Sequence, residues 1–403
     1  MMHIVYISRE FVPTQRGGGI ASYVKDMASA MVARGHQITV ICASDDTRTT
    51  SDKMENGIRI IRLKGGDFII PSVETSWFTS IKKLRIIYRF FSYRKRILET
   101  IKNLENIDII EVADFGAEGY YLWRQDVPVV VRMHTPSIFD RTNLGVKRYP
   151  ISKFYLEWSA KKEIETLTHF AHFNSCSYSL QAWYNLYFPQ VKGDWKVIYN
   201  PLDTSQWNKS KAHNSYLQNS ILYVGTVMEE KGVGDLVKAC AILREEGYPI
   251  TLTIAGKMGS YALQLKAETE DNNYTWCRFT GNLPRAELDN LYRSSKISCF
   301  PSHWENLPFV CLEAMAAGNV VIGSKSGGMS EMITDGKDGW LLQPKDINNI
   351  KDMLLKALQM TDDEVEKMRT MAHKTIDVRF SANHILPMME HYYQQICKQT
   401  KDK

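Results

Sequence analysis

Two glutamates with seven residues between them, Glu305 and Glu313, stand in the stretch Pro301-Ser302-His303-Trp304-Glu305-Asn306-Leu307-Pro308-Phe309-Val310-Cys311-Leu312-Glu313. An ionised carboxylate only accepts hydrogen bonds, so it matches the donor-rich diol edge of a ribose or a hexose. If most of the segment is helical, the two side chains lie up to about 12 Å apart along the axis. That separation suits a ligand with a sugar at each end, as in a nucleotide sugar. Asn306 can cap such a helix and Pro308 suits its first turn. First-turn amides attract anions and bond ligand oxygens. Glu313 sits on the apolar face of Phe309, Leu312, Met315 and Ala316, where a carboxylate needs partners. The plainer alternative is that Glu313 pairs with a structural arginine.

Four other places carry residues able to do chemistry. Lys231, in Gly225-Thr226-Val227-Met228-Glu229-Glu230-Lys231-Gly232, precedes an expected helix. A lysine there can meet a diphosphate together with the helix dipole, or it is a solvated lysine beside two glutamates. Arg16-Gly17-Gly18-Gly19 lets the backbone approach a phosphate or sugar, or is a flexible turn; it lacks the G-x-G-x-x-G dinucleotide pattern. His134 ends an expected strand, where it can bond a sugar hydroxyl or handle a proton; a core histidine is the plainer reading. Asp114 is a weaker candidate of the same kind. Residues 81–98 join Lys82, Lys83, Arg85, Arg89, Arg94, Lys95 and Arg96 to a stripe of Ile81, Leu84, Ile87, Tyr88, Phe91 and Leu98. Such a helix can lie on an anionic bilayer or be an ordinary surface helix.

These residues need a frame that holds them. Short β-rich runs at 3–8, 37–43, 58–63, 107–112 and 127–134 alternate with amphipathic stretches, beginning with a helix at 20–34. Turn chemistry at Tyr199-Asn200-Pro201 interrupts the alternation. It resumes with strands at 221–224, 251–255, 296–300, 320–323 and 339–342, and a final helix at 382–398. The pattern predicts two doubly wound, parallel α/β domains, 1–199 and 200–379. Ligands in such sheets bind beyond the carboxyl ends of the strands, so the cleft between two facing domains is the expected site.

Composition bounds the rest. A chain of 403 residues is long for one core. A net charge of +5 allows a phosphate-bearing ligand but does not argue for nucleic acid. The seven cysteines form no C-x-x-C pair, which points to buried thiols in a reducing compartment. No signal peptide or membrane-spanning run is visible, so a cytoplasmic protein is expected.

In these residues the chain resembles the retaining glycosyltransferases of family 4, which have the GT-B fold: two Rossmann-like domains facing each other across a cleft. The similarity spans nearly the whole chain. Its most specific part is the double-glutamate segment, then Gly318-Asn319-Val320-Val321-Ile322-Gly323, Gly327-Gly328-Met329-Ser330-Glu331 and Asp338-Gly339-Trp340-Leu341-Leu342.

The resemblance implies a nucleotide-diphosphate-sugar donor held mainly by the second domain and a hydroxyl acceptor held by the first. It implies that Glu305 contacts the donor sugar, with the backbone of Asn306 and Leu307 near sugar and phosphate. Glu313 then holds the ribose diol and Lys231 the diphosphate. The loop around Gly18 approaches the phosphates or the acceptor, and His134 sits by the transferred sugar. The segment Gly281-Asn282-Leu283-Pro284 meets the base through backbone atoms. It also implies that no metal or other cofactor is needed, that segment 380–403 packs back on the first domain, and that the work is polysaccharide or glycolipid synthesis. Thr226 stands where many relatives have an arginine. This reduces the two-cation clamp to Lys231, with Lys257 and Arg16 as candidates for a second cation. A sugar-nucleotide epimerase and a non-catalytic nucleotide-sugar-binding protein are the rival readings.

Overall fold

Parallel pairing of short β-branched runs needs crossover connections such as helices, and parallel sheets so covered are buried on both faces. The computed structural model describes residues 1–14, 18–46, 48–66, 79–137, 150–205, 207 and 216–401, with backbone alone at 79–82, 150–156 and 401. Arg16 and Gly17 lie outside the described residues. The chain divides into two units, Met1–Pro201 with Ile385–Lys403, and Leu202–His384.

The first unit contains strands β1 (His3–Ile7), β2 (Gln37–Ala43), β3 (Ser51–Glu55), β4 (Ile58–Leu63), β5 (Ile109–Ala113), β6 (Val129–Met133), β7 (His172–Ser175) and β8 (Asp194–Val197). They form one sheet in the order β3-β4-β2-β1-β5-β6-β7-β8. Every pairing is parallel except β3 with β4. Strand β3, Ser-Asp-Lys-Met-Glu, is mostly exposed at the sheet edge. It has no apolar run, so the sequence reading assigns no strand there. Helices α1 (Gly19–Ala33), α2 (Thr79–Lys102), α3 (Pro150–Leu167) and α4 (Tyr178–Tyr187) complete this part.

Helix α2 corrects an expectation. Its buried stripe is Ile86, Phe90, Tyr93, Ile97 and Ile101, not the stripe through Leu84 and Tyr88. Arg94 is buried as well, donating to the carbonyls of Phe90 at 2.8 Å and Ala117 at 3.0 Å.

The second unit has β9 (Leu217–Val224), β10 (Thr251–Ala255), β11 (Cys277–Gly281), β12 (Ser295–Phe300), β13 (Val320–Ser324) and β14 (Trp340–Leu342), in the order β11-β10-β9-β12-β13-β14. All pairings are parallel. The helices are α5 (Val233–Glu245), α6 (Ser260–Asp271), α7 (Arg285–Ser294), α8 (Phe309–Ala317), α9 (Met329–Met332), α10 (Ile347–Leu358) and α11 (Asp362–Thr375). Ile221, Leu252, Ile254, Ile297, Val320 and Ile322 from the sheet, with Leu236, Leu243 and Leu354 from the helices, share one apolar core. Helix α11 opens on a reciprocal Thr361–Glu364 capping box.

The last helix, α12 (Ala382–Lys401), belongs to the first unit from Ile385 onward. Tyr393 donates to the buried Glu111 of β5 at 2.5 Å, and Glu390 receives Arg34 at 2.6 Å and His36 at 2.7 Å. Segment 380–384, expected with this helix on the first domain, stays with the second unit.

Candidate functional site

Strand order decides which loops meet. In the second sheet the chain leaves β9 toward β10 on one side, while β12 begins the other half. The carboxyl ends of β9 and β12 therefore flank the point where the strand order reverses, the usual ligand position in such sheets. The loop after β9 carries Thr226 and Lys231; the loop after β12 carries Glu305, Asn306 and Leu307.

Local contacts lock these loops together. A single 3-10 turn, Glu229–Lys231, ends at Gly232 with φ +68°. A Cβ there would lie 2.2 Å from the Pro301 carbonyl oxygen, so only glycine permits this approach. His303 N–H donates to the Glu230 carbonyl at 2.9 Å, and the His303 ring lies 3.3 Å from Asp235 on α5. On the other side, Gly327 with φ +70° lets its backbone run beside Glu305, where a Cβ would meet the Glu305 carbonyl oxygen at 2.0 Å. Gly328 N–H donates to that carbonyl at 2.9 Å. The result is a direct ion pair between Lys231 Nζ and Glu305 Oε1, with about a quarter of each side chain exposed. The solvated lysine of the plainer reading is not what forms.

The double-glutamate segment differs from its expected shape. Helix α8 begins only at Phe309, and its N-cap is Pro308, whose side chain makes no capping hydrogen bond. Asn306 is buried in the preceding loop and does not cap the helix. Because 301–308 is not helical, the axial spacing expected for Glu305 and Glu313 does not apply. The first-turn amides of a helix have no partner within the helix and can bond an anion. Leu307 is buried beside it.

Glu313 has the arginine partner that the plainer reading allowed. Arg285 Nη1 donates to Glu313 Oε1 at 2.5 Å, and Tyr292 hydroxyl donates to Oε2 at 3.1 Å. This is not an interior lock, since the Arg285 side chain is 43% exposed and that of Glu313 12%. Burial, then the Glu313 charge, raises the Tyr292 phenol well above its usual range, so it remains a donor. Trp207 packs edge-on against Tyr292, 5.9 Å between ring centroids. Arg285, Tyr292 and Trp207 were not named from sequence. The need of a carboxylate in an apolar helix turn for donors was legible; which residues supply them was not.

Three further candidates lie on loops of the same unit. Thr226 is exposed, and its carbonyl accepts the Tyr223 hydroxyl at 3.1 Å. Leu283 is half-buried in the loop between β11 and α7, and Lys257 is exposed after β10. A separate groove of about 820 Å3, lined by Trp340, Lys356, Met360 and Met368 among others, includes none of the candidate residues. Among the described residues no cluster of His, Cys, Asp or Glu could hold a metal ion.

In the first unit Gly18 is the exposed, extended N-cap of α1. His134 follows β6 and is buried, its ring edge-on to Tyr23 at 5.0 Å. Burial, then Arg132, pushes its pKa well below the usual imidazole range, so the ring is neutral at neutral pH. A neutral imidazole offers one donor and one acceptor nitrogen. Asp114 is more than a turn residue: it is buried and accepts His134 N–H at 3.0 Å and the Tyr184 hydroxyl at 3.3 Å. Glu163 of α3 similarly ties the loops after β5 and β6, accepting Gly116 N–H at 2.6 Å and Ser137 N–H at 2.9 Å.

Known proteins are similar to this chain. A family model described as "Glycosyltransferase Family 4" matches residues 17–206, and one described as "Glycosyl transferases group 1" matches 205–375. A glycogen synthase of Mycobacterium tuberculosis is 25% identical over 361 residues, covering 86% of this chain and 83% of that protein. The amylovoran biosynthesis glycosyltransferase AmsK of Erwinia amylovora is 32% identical over 152 residues, 36% of this chain and 37% of its own. Among solved structures, a sucrose-phosphate synthase from Thermosynechococcus elongatus aligns with a TM-score of 0.75 at 18% identity, over 98% of this chain and 99% of that one. Anabaena HepE in complex with UDP-glucose aligns at 0.68 and 17% identity, over the full length of both. At these identities the structural likeness is one of fold. The two family matches run without a gap from residue 17 to residue 375, and the chain belongs to the family 4 glycosyltransferases, enzymes of the GT-B fold.

Proposed function

We propose that this glycosyltransferase moves a sugar, with retention at its anomeric carbon and without a metal ion, from a nucleoside-diphosphate sugar to a hydroxyl acceptor in polysaccharide or glycolipid synthesis. The Lys231–Glu305 pair carries this reading. An ammonium group has three donors, so Lys231 can keep Glu305 and still face a diphosphate. In this reading Glu305 receives hydroxyls of the donor sugar, with Asn306 and Leu307 lining the sugar and phosphate. Glu313 receives the ribose hydroxyls, and the loops at Thr226 and Leu283 border the phosphate and the base. Gly18 and His134, on the other unit, are this reading's candidates for the acceptor side.

The sugar–oxygen bond to the diphosphate breaks first, its electron pair leaving with the phosphate. Lys231 and the α8 amides stabilise that charge. An acceptor hydroxyl then forms the new bond on the same face, and its proton passes to the departing phosphate oxygen. The UDP-glucose bound by HepE supports this donor class, and the amylovoran biosynthesis in which AmsK acts supports a biosynthetic setting.

The test begins with thermal stabilisation by UDP-, GDP- and ADP-sugars. Product analysis with and without acceptors follows, with the anomeric configuration read by NMR. Transfer with retention is expected. Release of free nucleotide and an epimerised sugar without acceptor, or binding without turnover on any acceptor, would sink the proposal.

The same reading includes the cytoplasmic face of an anionic membrane as the place of work. Leu84 and Tyr88, one turn apart on α2, are 67% and 70% exposed, and Arg85 and Lys95 are exposed on the same helix. No described helix is long and apolar enough to cross a membrane, so contact would be peripheral. Flotation with anionic vesicles, lost on Leu84→Ser with Tyr88→Ser, is the expected result; equal flotation with neutral vesicles would end the idea.

A further inference from the structure

The ion pair on Glu313 joins two segments, α7 and α8, and its geometry bears on how a nucleotide is held. Arg285 is the first residue of α7, directly after the loop 281–284. Its Nε lies 2.8 Å from Asp289 Oδ1, one turn along the same helix, while Nη1 reaches Glu313 Oε1 at 2.5 Å. One end of the planar fork thus bonds Glu313, while its Nε lies at ion-pair distance from a second carboxylate. Tyr292, also on α7, takes the second Glu313 oxygen at 3.1 Å. The Arg285 guanidinium carbon lies 5.5 Å from the Trp207 ring centroid.

We propose that Arg285 is a positioning residue for the nucleotide: with Tyr292 it presets the Glu313 carboxylate to receive both hydroxyls of a ribose diol. The inference rests on the reading of Glu313 as the ribose acceptor. A carboxylate offers about four acceptor positions, two on each oxygen. Arg285 uses one on Oε1 and Tyr292 one on Oε2, which leaves one on each oxygen for two neighbouring hydroxyls. The arginine thus has no need to leave when a nucleotide arrives. It fixes the rotation of the carboxylate in advance, so less ordering remains to be done on binding. An ion pair this exposed contributes little to folding stability, so its effect falls on the local geometry. Lysine is not an equivalent replacement, because a compact ammonium lacks the planar fork that reaches from beside Asp289 to Glu313.

The experiment uses the full chain and whichever of UDP, GDP and ADP it binds most tightly, together with the 2′-deoxy counterpart. Wild type is expected to favour the ribose form by about tenfold, the effect of one hydrogen bond to a charged group. Arg285→Met should weaken the ribose form by about tenfold and leave the 2′-deoxy form nearly unchanged, so that the preference collapses. Arg285→Lys should restore only part of it. Tyr292→Phe should lower the preference in the same way, and serves as the second variant if Arg285→Met fails to fold. In a Glu313→Gln background, Arg285→Met should have no further effect on the ratio.

An Arg285→Met protein that keeps the ribose preference overturns the inference. So does one that weakens both forms equally, which would put Arg285 on the base or the diphosphate. A wild-type chain that shows no ribose preference, or binds none of the three nucleotides, instead overturns the reading of Glu313 on which the inference rests.

Discussion

Lys231 and Glu305 neutralise each other, and this sets what each can offer a ligand. The pair is about three-quarters shielded from solvent, so a diphosphate beside it meets a lysine already desolvated and oriented. Lys231→Ala is expected to lower turnover by about one to three orders of magnitude, about 1.4 kcal/mol for each tenfold step, with a smaller change in KM. Steady-state rates measure this, and wild-type turnover in the variant would take Lys231 out of the site.

Asp114 offers a second residue-scale test. Burial, its largest influence, pushes its carboxyl up to about 7, while an unfolded chain ionises the group near pH 4. Between those values the folded state keeps a proton that the unfolded state has released, so stability falls as pH rises through the window. Asp114→Asn keeps an acceptor for His134 N–H but has nothing to ionise. Its urea midpoint should therefore fall less than that of wild type between about pH 4 and 7. Parallel slopes in the two proteins would contradict the burial argument.

At the scale of elements, the site depends on loops that approach more closely than side chains allow. Gly232 illustrates the point, because its φ of +68° and the Pro301 carbonyl both exclude a Cβ. Gly232→Ala should destabilise the chain by about 1–3 kcal/mol. It should also lower turnover, since it separates the Lys231 turn from the loop bearing Glu305. Urea unfolding and kcat together check this; loss of stability with kcat intact would mean that the two loops are positioned independently.

Elements also mark how far local pattern reaches. Strands β2, β4 and β10 have the boundaries that their apolar runs predict. Strand β3, polar and largely exposed, leaves no such trace, and β8, four residues that alternate exposed and half-buried, is too short to leave one. Helix α2 has apolar residues on two flanks, and periodicity cannot say which one faces the protein. Packing chose the Phe90 flank and left Leu84 and Tyr88 outside.

For the whole molecule, the chain's last helix is part of the first unit's core. Tyr393 gives its hydroxyl to Glu111, a carboxylate buried in β5 that also receives Tyr23 at 3.1 Å. Tyr393→Phe would leave that carboxylate short of a donor, at a cost of about 1–3 kcal/mol. Because a chain of two units need not unfold in one step, the loss should appear in one urea transition and spare the other. A variant as stable as wild type would show that other contacts hold the helix.

By itself the sequence determined the alternation of strands and helices, because helical and extended periodicities are local properties of the chain. It also supplied the identities of Glu305, Glu313 and Lys231, because carboxylate and ammonium chemistry travels with the side chain. Only the tertiary structure decided the partners. Lys231 and Glu305 are 74 residues apart, and Glu313 lies 28 from Arg285 and 21 from Tyr292. A buried lone pair takes the donor that the strand order brings to it, and nothing in the neighbouring residues states which donor that is.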